Sequence, residues 1–133
     1  MSCGRRCPRT ELHEAWTNYR TRVVWVGNEH GEAESLRVLA HEYAGHIRAD
    51  HEGRQISREQ RETEADSIAY LVLKALGFDI SSSTVAYLAG WLPNDKNERV
   101  EVIRAAAEAV RNTTVAVLSE VAEVERKDRG EPA

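Results

Sequence analysis

The residues best suited to chemistry are His41, Glu42 and His46, in Leu39-Ala40-His41-Glu42-Tyr43-Ala44-Gly45-His46, followed by Glu62 and Asp66 in Glu62-Thr63-Glu64-Ala65-Asp66. Two histidines at i and i+4, with a glutamate after the first, are the parts of a hydrolytic metal site. One helix face aims both imidazoles at Zn²⁺ and the glutamate serves as general base. Here the second histidine stands at i+5. At 3.6 residues per turn that step leaves the side chains roughly 140° apart about the axis, against roughly 40° for i+4. A regular helix does not aim both at one ion, so the chemistry depends on how the extra residue is absorbed.

Zinc in a hydrolytic site needs three protein ligands and an open position, and His41, His46 and Glu62 make one of the recurring sets. Glu62 and Asp66 lie four apart on one face of a helical pattern. Glu62 is then placed to bind metal while Asp66 accepts a hydrogen bond from a ligand imidazole. Three geometries accommodate the insertion. A π-bulge around Ala44-Gly45 returns His41 and His46 to one face, and Gly45 eases the backbone adjustment. A regular helix instead makes Glu42 and His46 the i, i+4 pair, so that Glu42 becomes a ligand and no general base is left. The third outcome is no metal.

The elements that must position these groups are read from composition and periodicity. A chain of 133 residues fits one domain with a single site. With 41% apolar and 30% charged residues and only three prolines, it reads as α+β but mainly helical, with a small N-terminal β element and about four helices. The net charge of −4 gives no case for nucleic-acid binding. No apolar run reaches membrane-spanning length and no signal-type segment follows the basic N-terminus, so a cytoplasmic location is the default expectation. Cys3 and Cys7, spaced C-x₃-C, match no zinc or redox motif and are expected as reduced thiols.

Residues 1–10 carry no apolar period and are expected to be a flexible leader or the remnant of a longer upstream region, ahead of a single domain over 11–126 and a flexible tail over 127–133. Thr21-Arg22-Val23-Val24-Trp25-Val26 predicts a strand, with an earlier one at Trp16 to Tyr19 to pair with it. From Ala33 to His51, Leu36, Leu39, Ala40, Tyr43 and Ile47 mark an amphipathic helix that Gly53 ends. Ser57-Arg58-Glu59-Gln60 has the form of a capping box. A second helix follows, with Ala65, Ile68, Ala69, Val72 and Leu76 inward and Gly77 as its cap. A short helix is expected from Ser81-Ser82-Ser83 through Trp91. A long one runs from Asn97 into the 120s with Val100, Ile103, Ala107, Val110, Val117, Val121 and Val124 inward, fraying at Lys127-Asp128-Arg129-Gly130.

Leu39-Ala40-His41-Glu42, Gly45-His46-Ile47-Arg48-Ala49-Asp50-His51 and Arg61-Glu62-Thr63-Glu64-Ala65-Asp66-Ser67-Ile68-Ala69-Tyr70 resemble the ImmA/IrrE-type zincin domain, closest to its ArdC-like antirestriction branch. Asn18 to Arg22, Ala75 to Asp79 and Tyr87 to Trp91 extend the resemblance to roughly residues 17 to 92. The resemblance implies a zincin-like (gluzincin) fold. It implies Zn²⁺ held by His41, His46 and Glu62, Glu42 as the catalytic base, and endopeptidase or regulatory action on a protein or peptide substrate in antirestriction or mobile-element regulation. The ArdC-like branch also carries an N-terminal single-stranded-DNA-binding domain, for which this chain leaves no room. The family places the second histidine at i+4, so Tyr43-Ala44-Gly45 reads as a one-residue insertion. Because the family pattern continues on both sides of it, the bulged geometry ranks first. The competing function is a catalytically impaired, zincin-like protein-binding module without turnover.

The remaining candidates carry plainer readings. Glu64, two residues from Glu62, is expected to point elsewhere and be solvated or salt-bridged. His51 and Asp50 sit at a helix end where solvated polar residues are ordinary, and His51 is a fallback ligand. Tyr70 and Tyr87 are expected to pack with hydrogen-bonded tips, Trp25 and Trp91 to line core or groove, and His13 and His30 to lie at the surface. The Trp25 strand is expected beside the site, where extended substrate adds along such an edge.

Overall fold

β-branched residues favour extended chain, and Val23–Val26 forms strand β2, paired antiparallel with β1, Ala15–Asn18, in the register Ala15↔Val26 to Asn18↔Val23. The computed structural model describes residues 15–27, 31–79, 90 and 92–132. Asn18 makes the hairpin turn. Its Oδ1 accepts from the backbone N–H groups of Arg20 (3.0 Å) and Thr21 (3.1 Å), and Arg22 takes a left-handed φ of 57°. Thr21 and Arg22, expected in the strand, therefore belong to the turn, and β2 starts at Val23.

Helix α1, Glu32–Glu42, runs directly into a π turn, Tyr43–Ile47. The helix expected to continue to His51 stops after Ile47, and Asp50 adopts a left-handed φ of 56°, which reverses the chain before Gly53. Helix α2, Arg58–Ala75, begins at Ser57, whose hydroxyl accepts from the Gln60 N–H at 3.1 Å. Half of the expected capping box is thus formed, and the Gln60 side chain turns to Glu64 instead. At its other end Gly77 takes φ 98° and the Phe78 N–H reaches the Leu73 carbonyl at 2.8 Å, closing the helix as its glycine predicted. Helix α3, Lys96–Asp128, is capped by Asp95, which accepts from the Glu98 N–H. The fraying expected at Lys127 is not seen: the helix holds through Asp128, and Gly130 at φ 72° lets the Glu131 N–H bond the Arg126 carbonyl.

The core lies where the π turn and α2 meet α3. Ala44, Ala49, Ile68, Val72 and Val117 are buried together, with Val110, Leu118 and Val121 packed against them, and Ala40, Ala69 and Leu73 continue it under Leu36. The inward stripes are shifted from expectation. On α3 the buried residues are Ala106, Thr113, Thr114 and Val117, while Val100, Ile103, Ala107 and Val124 are exposed. Leu39, Tyr43 and Leu76 are also exposed, at the rim of an apolar groove between α1, α2 and α3. The architecture is mainly helical with a two-stranded hairpin. Among the described residues no helix is long and apolar enough to cross a membrane. The leader, Cys3, Cys7, His13, His30, Tyr87, Trp91 and the expected short helix from Ser81 lie outside the described residues.

Candidate metal centre

The i, i+5 spacing of His41 and His46 is accommodated by a widened turn. Hydrogen bonds at i→i−5 join the Arg48 N–H to the Tyr43 carbonyl (3.0 Å) and the His51 N–H to the His46 carbonyl (3.2 Å). A π turn holds one more residue than an α turn, so the i+5 side chain returns to the face of residue i. His41 Nε2 and His46 Nε2 accordingly meet at 3.1 Å. Gly45 has a second role beyond backbone freedom: a Cβ there would stand 2.6 Å from Ala65 Cα and 2.7 Å from the Ala65 carbonyl oxygen. The bulge thus lies directly on the backbone of α2, four residues before Ala69 and beside Glu62 and Asp66. Gly45→Ala is expected to cost roughly 1–3 kcal/mol, as overpacking does, measured by urea unfolding of the metal-free protein. Wild-type stability in that variant would mean the close approach is not needed.

Three atoms form a tight triangle: His41 Nε2 to His46 Nε2 3.1 Å, His46 Nε2 to Glu62 Oε2 2.9 Å, and His41 Nε2 to Glu62 Oε2 3.5 Å. Tetrahedral ligation with bonds of about 2.0–2.1 Å spaces ligand atoms roughly 3.3 Å apart. His41 Nδ1 lies 2.8 Å from Asp66 Oδ1, so this nitrogen carries the hydrogen and donates it, and the cation, a proton or a metal ion, falls to the inward-facing Nε2. Glu62 Oε2 is buried without a hydrogen bond. Lone pairs converging at such distances call for a cation between them, a metal ion or a proton. Burial opposes charge on His41, but the hydrogen bond to Asp66 and the Glu62 carboxylate beside it outweigh burial and push its pKa up to about 10. Burial likewise opposes charge on Glu62, yet the two imidazoles hold its carboxyl well below the usual carboxylate range.

His41, Glu42 and His46 form a group that could hold a metal ion, each with a ligand atom within 4.8 Å of the others. Within it Glu42 is the outlier. Its Oε2 stands 3.8 Å from His46 Nε2, whereas Glu62 Oε2 stands at 2.9 Å, so Glu62 completes the tight triangle and Glu42 sits at its edge. All five residues singled out from sequence, His41, Glu42, His46, Glu62 and Asp66, are brought together.

Beside them Glu64 takes the salt-bridged of its two expected states and is not solvated: it is wholly buried and paired on both oxygens, accepting from Arg54 (2.7 and 3.0 Å), Gln60 Nε2 (3.0 Å) and His51 Nε2 (2.8 Å). His51 is not a solvated helix-end residue either. It is 1% exposed, and its Nδ1 lies 2.7 Å from His46 Nδ1. Thr63 to Asp66 are buried in succession, so α2 is covered on every side there and its helical stripe says nothing of which side is solvated. Burial works against charge on Glu64, but His51, Arg54 and Gln60 hold its pKa down to about 2. Burial also lowers the pKa of His51, which Glu64 only partly offsets. The Gln60 to Glu64 spacing of four was the one sequence signal for this cluster.

A cleft of about 420 Å³ opens at the triangle, lined by Tyr19, His46, Glu52, Arg58, Arg61 and Glu62. Tyr19, reached from the hairpin turn, was not singled out from sequence. Burial and the nearby Glu42 carboxylate raise its pKa to about 12, which keeps the phenol protonated. The hairpin thus meets the cleft through Tyr19, while Trp25 is half-buried on β2 and Tyr70 half-buried on α2, neither lining it. A scan against protein-family models, a search of curated proteins and a search of solved structures find no match to this chain.

Proposed function

We propose that the chain is a zinc-dependent, zincin-like (gluzincin) metallo-endopeptidase of the ImmA/IrrE type that its motifs resemble, acting on a protein or peptide substrate. The observation that carries this reading is the π turn that gathers His41 Nε2, His46 Nε2 and Glu62 Oε2 within 3.5 Å of one another, with Glu42 at the edge. His41, His46 and Glu62 would hold the zinc ion, which when bound would supply Lewis acidity toward a peptide carbonyl and water. Glu42, next to His41 in sequence and outside the triangle, takes the proton from the attacking water and passes it to the leaving amine. Asp66 fixes the His41 ring by accepting its Nδ1 hydrogen. Tyr19, whose phenol burial and the Glu42 carboxylate keep protonated, is the hydrogen-bond donor in the cleft for the oxygen that gains charge.

Elemental analysis of the purified chain is expected to find near one zinc per chain, and Glu62→Gln to lower it to substoichiometric content, because an amide is a poorer ligand than a carboxylate. Hydrolysis of a peptide mixture should stop with chelator and return with zinc. Substoichiometric zinc in the wild type, or full zinc in Glu62→Gln, would refute the site. Full zinc without hydrolysis would favour the protein-binding module.

A further inference from the structure

The polar chain behind His46 has a direction, set from its far end. Glu64 receives both prongs of the Arg54 guanidinium and the Gln60 amide, so it is a carboxylate and only accepts. His51 Nε2, 2.8 Å from Glu64 Oε1, must therefore carry a hydrogen and donate it. Arg54 already balances Glu64, and a second cation on His51, 1% exposed, would be buried without a counter-charge; the ring is neutral and its Nδ1 bears a lone pair. That lone pair faces His46 Nδ1 at 2.7 Å. His46 Nδ1 must then be the donor, which leaves the Nε2 lone pair of His46 turned toward His41 Nε2 and Glu62 Oε2.

Resting on the metal site proposed above, we propose that His51 is a positioning residue: it fixes His46 in the tautomer that presents Nε2 to the metal. Where His41 is oriented by a carboxylate directly, His46 is oriented by a carboxylate one imidazole removed. The arrangement is set by the backbone after the π turn. The i→i−5 bond from the His51 N–H to the His46 carbonyl and the left-handed Asp50 fold the chain back, so that the His51 ring comes to lie edge-on to the His46 ring, centroids 4.9 Å apart.

The test is zinc affinity, by competition with a chromophoric chelator, for the full chain and its His51→Leu and His51→Asn variants, with Glu62→Gln alongside. Asparagine keeps an acceptor oxygen near the position of Nδ1, whereas leucine keeps bulk and no acceptor. His51→Leu is expected to weaken zinc binding about 10–100-fold, the usual effect of losing a partner behind a metal-bound histidine, and His51→Asn to recover most of it. Long-range ¹H–¹⁵N NMR of the zinc-loaded wild type should show His46 protonated at Nδ1 and His51 at Nε2, a signature that a purely space-filling role would not produce. Equal losses in the two variants, unchanged affinity in His51→Leu, or the reverse tautomers would overturn the proposal. If Glu62→Gln weakens binding and His51→Leu does not, the positioning role alone falls; if the wild type binds no zinc, the metal site falls and takes the role with it.

Discussion

Glu42→Gln is expected to lower peptide hydrolysis by about 10²–10⁴-fold, the contribution of a positioned general base, while zinc content stays at the wild-type level. The geometry separates the two effects. Glu62 Oε2 stands 2.9 Å from His46 Nε2 and Glu42 Oε2 at 3.8 Å, so the ligand triangle closes without Glu42. An amide of the same shape retains the packing of the side chain but no longer accepts a proton. Kinetics should show the loss in kcat with KM little changed, because on the proposed mechanism Glu42 acts on water in the transition state rather than on bound substrate. If the substitution strips the zinc instead, Glu42 is a ligand and hydrolysis loses its proton acceptor.

The parts of this site that repeat with helical period were legible in the sequence. Ser57 before an amphipathic run marked the start of α2, and the four-residue step from Glu62 to Asp66 placed both carboxyls on the side facing the histidines. The π turn was one of three geometries that the sequence left open: histidines at i+5 share a face only if a turn is widened, but the spacing alone does not say that they share one, and the widened turn stands at Tyr43–Ile47. His51 and Glu64 were not legible. Their contact spans thirteen residues across a reversal set by the backbone of Asp50, and no periodicity reports such a reversal. The stripe on α3 misled for a related reason. Periodicity finds an apolar face on a long helix but not how much of its length has a neighbour, and Val117 is covered while Ile103 and Val124 are not.

The largest expected effect on stability lies at Glu64. The carboxylate joins α2 to the segment after the π turn: Arg54 bridges it and also donates to the Ala49 carbonyl at 3.2 Å, while His51 donates from the other side. In Glu64→Ala, Arg54, about a third exposed, can turn to water, but the His51 N–H is left buried without an acceptor. Losing a hydrogen bond to a charged group costs about 1.5–3 kcal/mol and leaving a buried donor unsatisfied about 1–3 kcal/mol more, a large share of a stability of about 5–15 kcal/mol. Urea unfolding of the metal-free protein at neutral pH measures it. The pH dependence has a definite sign, because the folded pKa of about 2 lies below the ordinary 4.5. Between those values the unfolded chain binds the proton first, so the carboxylate's contribution is fully present above pH 4.5 and is lost as pH falls toward 2. The stability difference between wild type and Glu64→Gln should therefore shrink over that window. A difference that stays constant down to the acid limit, or a Glu64→Ala variant as stable as wild type, would show that the buried carboxylate does not hold the segment in place.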